Sequence, residues 1–460
     1  MEGRQDPFYY IPSIVELEKK IRKLSTLRLR DFIIAISSGA TPSVKEEEKF
    51  YSDELNGVPF IRVQNLSPTN ELMLNDLRYI NQETHQKYLN RSQIKGGDLL
   101  VKITGVGRMA VSSVVPEGFE GNTNQHLVVI KTKDYETSEI LATFLNTDVG
   151  EKLASRRATG GTRPALDYSA LKSIPIVFKP EIIEIVKKAV IAKRAKEAEA
   201  KSLLDGIDAY LLERLGIETP AATEAKKTFF TRASKLFGGR FDPFYHQVEF
   251  EELEKAISKS QFDKTFLRDI LIYLESGSRP SGGVSNYESG VLSFGGEHIN
   301  NKCEVEIRTP KYVPVEYHQS HLATETKLHD IILVKDGATT GKIGIITSEN
   351  HVGQNVNEHV FIMRFAPNVS QFFILNLLAT STYQKLISRV ITGATVTGLT
   401  KEVVKRLVIP LPPLDVQEEI AAHIQSIRTR AKELEEDAKA EVERAKVEVE
   451  KMILGEVSAE

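Results

Sequence analysis

Over the last tenth of the chain, apolar residues return every three or four positions. Ile420, Ile424, Ile427, Ala431, Leu434, Ala438, Val442, Ala445, Val449 and Met452 advance in steps of 4,3,4,3,4,4,3,4,3, a heptad seam with one stutter near Ala438. The spacing predicts one helix over 414–455. A second stripe runs through residues 181–215: Ile182, Val186 and Val190, then a thin polar stretch at 193–199, then Ala200, Leu204, Ile207 and Leu211. At about 1.5 Å per residue each helix is roughly 50–60 Å long. A stripe this narrow does not stabilise an isolated helix. Each is therefore the natural partner of the other, as a coiled-coil pair.

Elsewhere the period shortens. "DLLVKI", "HLVVIKT", "DIILVK", "KIGIIT" and "HVFIMRF" are short β-branched runs bounded by Gly and Asn, and they read as strands. "SEILATFLNTDVGEKLASRR" and "VSQFFILNLLATSTYQKLISRV" carry helical spacing, which "IPI" and "IPLPP" stop.

These elements come in two sets. "RQDPFYY" (4–10) returns as "RFDPFYH" (240–246), and Leu17-Glu18-Lys19 as Leu253-Glu254-Lys255, at an offset of 236. "LRDFIIAISSGATPS" (29–43) returns as "LRDILIYLESGSRPS" (267–281), and "GGDLLVKITG" (96–105) as "LHDIILVKDG" (328–337). "GNTNQHLVVI" (121–130) matches "GQNVNEHVFI" (353–362) with one inserted residue, and "KLASRRATGGT" (152–162) matches "KLISRVITGAT" (385–395). "LKSIPIVFKP" (171–180) and "VKRLVIPLPP" (404–413) then lead into the two long helices. Six blocks in the same order identify a tandem duplication.

The fold class that follows is α+β, a tandem repeat of two mixed α/β domains separated by two long antiparallel helices. The divisions are 1–25, an N-terminal segment; 26–178, the first domain; 179–217, the central helix; 218–263, a linker with the opening of the second repeat; 264–412, the second domain; and 413–460, the C-terminal helix.

The duplication also decides what Asp-Pro-Phe-Tyr means. The tetrad differs by one residue from the Asp/Asn-Pro-Pro-Tyr/Phe loop of DNA amino-methyltransferases. That chemistry needs one such loop together with a Gly-rich turn after a strand. Ser293-Phe294-Gly295-Gly296 lacks the spacing, the first half offers nothing comparable, and Phe8 and Phe244 replace the second proline. The expected role is architectural, with Phe8/Tyr9 and Phe244/Tyr245 anchoring the start of each repeat.

Other chemistry is scarce. "DGATTGKIG" (336–344) has three residues between Gly and Gly-Lys where a phosphate-binding loop has four, and Ile343 stands where Ser or Thr would hold magnesium. His318 and His321 have no nearby carboxylate or cysteine to complete a zinc set. No nucleophile elbow and no His-Glu-x-x-His occurs. The single cysteine, Cys303, excludes a disulfide framework and fits a reducing cytoplasm. No apolar run approaches membrane-spanning length, so neither a signal peptide nor a transmembrane span is expected. Of the 460 residues 41% are hydrophobic and 27% charged, as in an ordinary globular protein. The net charge is −3, but the last 46 residues hold 13 acidic and 7 basic side chains, so the rest is +3 and allows local basic faces. No catalytic residue, metal ligand or cofactor is expected.

Two diverged domains at a fixed separation suit a ligand with two half-sites, and double-stranded DNA is the obvious one. The repeated order of "GxTPS"-type loop, strand-rich region, "TG(G/A)T", "IP(I/L)" and long helix resembles the specificity (S) subunit of type I restriction–modification systems. "LVIPLPPLDVQEEIAAHI" (407–424) is similar to that family's Ile-Pro-Leu-Pro-Pro-Leu-x-x-Gln-x-x-Ile approach to its helix, whereas "SIPIVFKPEIIEIV" (173–186) lacks the Leu-Pro-Pro-Leu and the Gln. The resemblance implies a non-catalytic subunit with two target-recognition domains, each reading half of an asymmetric split site. It implies helices that set the spacing and dock two methyltransferase subunits, and a motor nuclease that joins the full complex.

DNA contacts are expected from polar and basic residues on Gly-rich loops. In the first domain these are Thr41, Ser43, Lys102, Thr104, Arg108, Asn122, Asn124, Thr162 and Arg163. In the second they are Arg279, Ser281, Lys335, Thr339, Thr340, Lys342, Asn355, Asn357 and Thr395. Asn and Gly-flanked Thr also occur in turns for backbone reasons alone. A coiled-coil scaffold with two protein-binding heads, or the recognition subunit of another restriction–methylation type, fits the same architecture.

Overall fold

The computed structural model describes residues 7–220, 228, 230–232, 240–284, 287–391 and 398–456. Most of the expected linker at 218–239 lies outside the described residues. The chain forms two compact units, one of residues 1–199 with 433–460 and one of residues 200–432. Both long helices thus contribute to both units.

In the first unit, a four-stranded antiparallel sheet runs in the order Ala35–Ser38, Leu127–Lys131, Leu99–Lys102, Ser112–Val114. Side chains alternate across a strand, and here both faces are covered. Leu99, Val101, Val128 and Ile130 face the helical core, whereas Leu100, Leu127 and Val129 join Ile61 and Ile94 on the other side. Two-sided burial explains why these strands read as continuous apolar runs. The second layer is a five-stranded sheet in which Val58–Ile61 pairs in parallel with Glu120–Thr123.

The second unit repeats the plan, with an antiparallel sheet ordered Leu271–Ser276, Val360–Phe365, Ile331–Val334, Ile343–Ile345. Its faces again divide between two cores, Ile331 and Leu333 on one side, Ile332 and Val334 on the other. Val291–Phe294 and Asn355–Val356 form the parallel pair. The helical runs behind the sheets split at a threonine in both units. Thr147 accepts from Gly150 N at 3.0 Å, ending Tyr135–Asn146 and capping Asp148–Ser155. Thr380 accepts from Tyr383 N at 3.3 Å between Gln371–Ala379 and Ser381–Val390.

Duplicated polar contacts fix each unit. Asp98 accepts from Lys95 N at 2.9 Å and pairs with Lys131 at 3.1 Å, while Asp330 accepts from Lys327 N at 2.7 Å and pairs with Arg364 at 2.7 Å. The Asp-Pro-Phe-Tyr segments are anchored as expected, through tyrosine. Arg156 Nε donates to Tyr9 O at 2.8 Å with its guanidinium 4.2 Å from the Tyr9 ring centre. Arg389 Nε donates to Tyr245 O at 2.9 Å with its guanidinium 4.5 Å from that ring. Phe8 is 67% exposed, whereas Phe244 stacks edge-on against Phe250 with ring centres 5.2 Å apart. The same arginines reach carboxylates on the helices that follow: Arg156 pairs with Glu18 on Pro12–Leu24, and Arg389 with Glu254 on Val248–Ser258 at 2.6 Å.

The exit helix, Leu414–Ile453, matches the predicted span to within two residues. Every seam position is buried except Ile427 and Val442, which are half-buried. Of the central stripe, Ile182, Val190, Ile207 and Leu211 are buried, and Val186 and Leu204 partly so. The predicted central helix is present as Ile182–Asp205 and Ile207–Arg214, joined through Gly206, whose φ −77° and ψ −13° remain right-handed helical. Gly206 N donates to Ser202 O at 3.1 Å and Tyr210 N to Gly206 O at 3.0 Å, so the glycine, a poor residue for a helix interior, marks an irregularity and not an end. The helices pair antiparallel within each unit. In the first, Lys179 reaches the Met452 carbonyl at 2.8 Å and Lys196 reaches Glu441 at 2.9 Å. In the second, Tyr210 lies against His423 with ring centres 4.3 Å apart and Arg214 pairs with Glu419 at 2.8 Å. Among the described residues no helix is long and apolar enough to cross a membrane.

Glu18 is the most heavily engaged carboxylate of the first unit. It is 4% exposed and meets Arg22, Arg156 and Arg157. Burial alone would push its carboxyl up, but the three guanidiniums hold it down to about 2 from an ordinary 4.5. The unfolded chain therefore takes up this proton first, and the stability Glu18 confers is complete above about pH 5 and lost as pH falls toward 2. Glu18→Gln is expected to destabilise the chain by about 3–5 kcal/mol, because it removes the counter-charge of two buried guanidiniums. Urea unfolding at pH 7 and pH 4 should show the difference between wild type and variant shrinking at the lower pH.

Candidate functional site

In an antiparallel sheet the C-terminal ends of alternate strands share one edge. In the first unit this brings together the loops after Ala35–Ser38 and Leu99–Lys102 and the turn before Leu127–Lys131. The segment that follows "KLASRRATGGT" joins them: Leu166 N donates to Ile103 O at 2.8 Å and Gly105 N to Pro164 O at 3.2 Å. In the second unit Leu399 N donates to Lys335 O at 2.6 Å and Lys335 N to His359 O at 2.9 Å, while residues 392–395 of the matching block lie outside the described residues.

The loops are held by close backbone approach. A Cβ on Gly39 would lie 1.7 Å from Thr123 O, and one on Gly277 would lie 2.1 Å from Val356 O. Asn124 and Asn357 tighten the opposing turns by accepting from His126 N at 3.1 Å and His359 N at 3.0 Å. The two histidines are held in turn: Thr104 Oγ1 lies 2.5 Å from His126 Nδ1, and Asp336 bonds His359 Nδ1.

The expected contact residues separate into two groups. Asn122 and Asn355 are fully buried; Asn122 Nδ2 donates to Leu89 O at 2.7 Å and Asn355 Nδ2 to Ser293 Oγ at 3.1 Å. Asn124 and Asn357, 7% and 6% exposed, are turn residues. Lys102 is buried with its ammonium donating to Val106 O at 2.8 Å, and burial pushes its pKa down. Arg108 turns away toward Asp148 at 2.7 Å. Hydrogen bonds from Arg108 and then Lys446 hold the Asp148 carboxyl down to about 2. These six residues build the loops.

Thr41, Ser43, Thr162, Arg163, Arg279, Ser281 and Thr339 are exposed, and Thr104, Lys335, Thr340 and Lys342 are half-buried. Thr340 Oγ1 closes its own turn by donating to Gly337 O at 2.7 Å. Arg163 has no side-chain hydrogen bond or ion pair among the described residues. Thr395 lies outside the described residues.

The loop edge also contains side chains that the spacing did not single out: Gln125, His126, Glu358 and His359. Thr41 Oγ1 donates to Gln125 Oε1 at 2.5 Å, and Arg279 Nε pairs with Glu358 Oε1 at 2.5 Å. Both histidines stand in the aligned blocks "NTNQH" and "NVNEH", so the repeat itself carried that signal. Among the described residues no group of three or more His, Cys, Asp or Glu side chains could hold a metal ion.

Gly39→Ala is expected to force the 39–43 loop off Thr123 and to cost about 1–3 kcal/mol. Thermal unfolding would register it as a lower midpoint, and hydrogen exchange would place the lost protection at 39–43 and 122–126.

A family model described as the type I restriction modification DNA specificity domain matches residues 23–192 and again 260–444. Among solved structures, a chain from work on complex assembly and conformational transition of the type I R-M system is 16% identical, with 94% of this chain and 97% of that chain covered and a TM-score of 0.50. An HsdS subunit from Thermoanaerobacter tengcongensis is 15% identical, with 94% and 96% covered and a TM-score of 0.39. A type I restriction–modification S subunit from M. genitalium is 12% identical, with 92% and 94% covered and a TM-score of 0.39.

Proposed function

The chain belongs to the family of type I restriction–modification DNA specificity domains and is a DNA-recognition subunit of such a system; from this premise we propose that each of its two domains reads one half of an asymmetric, bipartite DNA site. The observation that carries the proposal is the loop edge, built twice on the same strands and turns but with different exposed side chains. One scaffold with two chemistries suits two unlike half-sites. Residues 26–178 and 264–412 are the proposed recognition domains.

The antiparallel helices at 179–217 and 413–460 would set the half-site spacing and dock two methyltransferase subunits, with a motor nuclease in the full complex. Methylation and cleavage would reside in those partners, and the chain itself would work in the cytoplasm without a cofactor. The charge at the loop edge supports DNA binding shared with other subunits. Lys102 and Arg108 are engaged internally and Arg279 is paired, so few cations remain to neutralise phosphates. Partner subunits that enclose the duplex would supply the rest. Exposed Arg163 and half-buried Lys342 are the basic side chains proposed to meet phosphate.

The test is adenine-methylation mapping by long-read sequencing in cells expressing the chain with its cognate methyltransferase subunit. Exchange of 26–178 for the corresponding segment of another specificity subunit should change one half of a split motif, and exchange of 264–412 the other half. An active methylase whose motif ignores both exchanges would overturn the proposal. Arg163→Ala is expected to weaken binding of the assembled complex to all duplexes alike and to lower its salt dependence by about one phosphate contact, measured by titration at several salt concentrations.

A further inference from the structure

Laying one loop edge on the other by the internal repeat aligns Thr41 with Arg279, since "SGATPS" and "SGSRPS" differ there, and aligns Gln125 with Glu358, between the Asn and the His of "NTNQH" and "NVNEH". Most flanking positions are unchanged: Gly39 and Gly277, Pro42 and Pro280, Ser43 and Ser281, Asn124 and Asn357, His126 and His359; the exceptions are Ala40 against Ser278 and Thr123 against Val356. The two variable positions touch each other in both units, at 2.5 Å in each case. A pair that changes together on a fixed scaffold, on the exposed edge, has the properties of a readout element.

We propose that these two positions form one specificity-determining pair per domain, in which one member contacts a base and the other positions it, with the roles reversed between the domains. In the second unit both carboxylate oxygens of Glu358 are buried without a hydrogen bond, and Oε1 lies within ion-pair distance of His359 Nε2 at 3.1 Å and of Arg279 Nε at 2.5 Å. They cannot reach a base edge, so Glu358 is the positioning residue. The half-exposed Arg279 keeps its terminal nitrogens for the O6 and N7 acceptors of a guanine, the bidentate pairing that a guanidinium's fork fits. In the first unit both members are exposed, and the short Thr41 hydroxyl occupies Gln125 Oε1. That leaves the amide Nε2 to donate to a purine N7 or a thymine O4, with Thr41 as the positioning residue.

This inference rests on the DNA-recognition reading, and its test keeps the two apart. Methylation motifs are mapped for the wild-type chain, for the domain exchanges, and for the double variant Arg279→Thr with Glu358→Gln, each with the partner methyltransferase. The wild-type second half-site should contain a G·C pair at which the double variant loses about 10–100-fold discrimination, with the first half unchanged. Arg279→Lys should lose part of the same discrimination while keeping the charge, since a single ammonium replaces the rigid planar fork of the guanidinium. Glu358→Gln alone, isosteric and away from the base, should relax that position less than Arg279→Lys. If the domain exchanges alter the half-sites while the double variant leaves the motif intact, the pair is not the reader and only this inference fails. If the exchanges change nothing, the DNA-recognition reading fails with it. Should the double variant methylate too little to map, selection of bound duplexes from a random library by the purified complex reads the same base preference. Retention of the guanine there overturns the proposal.

Discussion

The structure depends on an apolar stripe that no part of the chain can bury alone. The exit helix is 40 residues long and offers the core little more than one residue in four. The central helices offer even less between Val190 and Ala200. Neither could persist in water, and neither has a partner nearby in sequence. Each compact unit therefore contains segments separated by nearly 200 residues or more, 182–199 with 433–453 and 200–217 with 414–432. This long-range pairing gives each unit a part of both helices.

A second requirement is that each loop edge stay rigid while its surface chemistry diverges. The repeat meets it by assigning conserved positions to the framework. Arg156 and Arg389 clamp the tyrosines of the opening segments, Asp98 and Asp330 lock the turns before their strands, and Gly39 and Gly277 let one loop rest on the carbonyls of the next. Each contact uses backbone atoms or buried charge, which tolerate little substitution. What differs at the loop edge includes Thr41 and Gln125 in one domain, and exposed Arg279 with the buried carboxylate of Glu358 in the other.

The same division sorts the loop residues. Asn122, Asn124, Asn355 and Asn357 recur in both halves, and each makes a hydrogen bond inside its own unit. Lys102 and Arg108 are basic and loop-borne, yet a carbonyl and Asp148 claim them. Gln125 and Glu358 differ between the copies, so an eye searching for identity passed over them. Identity between the repeats marked the scaffold, and difference marked the surface.

From the sequence alone came the duplication, the strands of both central sheets that run as continuous apolar segments, the heptad seam to within two residues, and the anchoring role of Asp-Pro-Phe-Tyr. Those features are legible because period and repetition are local properties of a chain. The tertiary structure alone decided that a second layer of short strands covers each sheet, and which loop side chains face outward. A polar side chain is buried or exposed according to neighbours brought in from distant segments. For Asn122 those neighbours are Leu89 and Ser92, and for Arg108 they are Asp148 and, through it, Lys446. No local pattern encodes such partners, because folding supplies them.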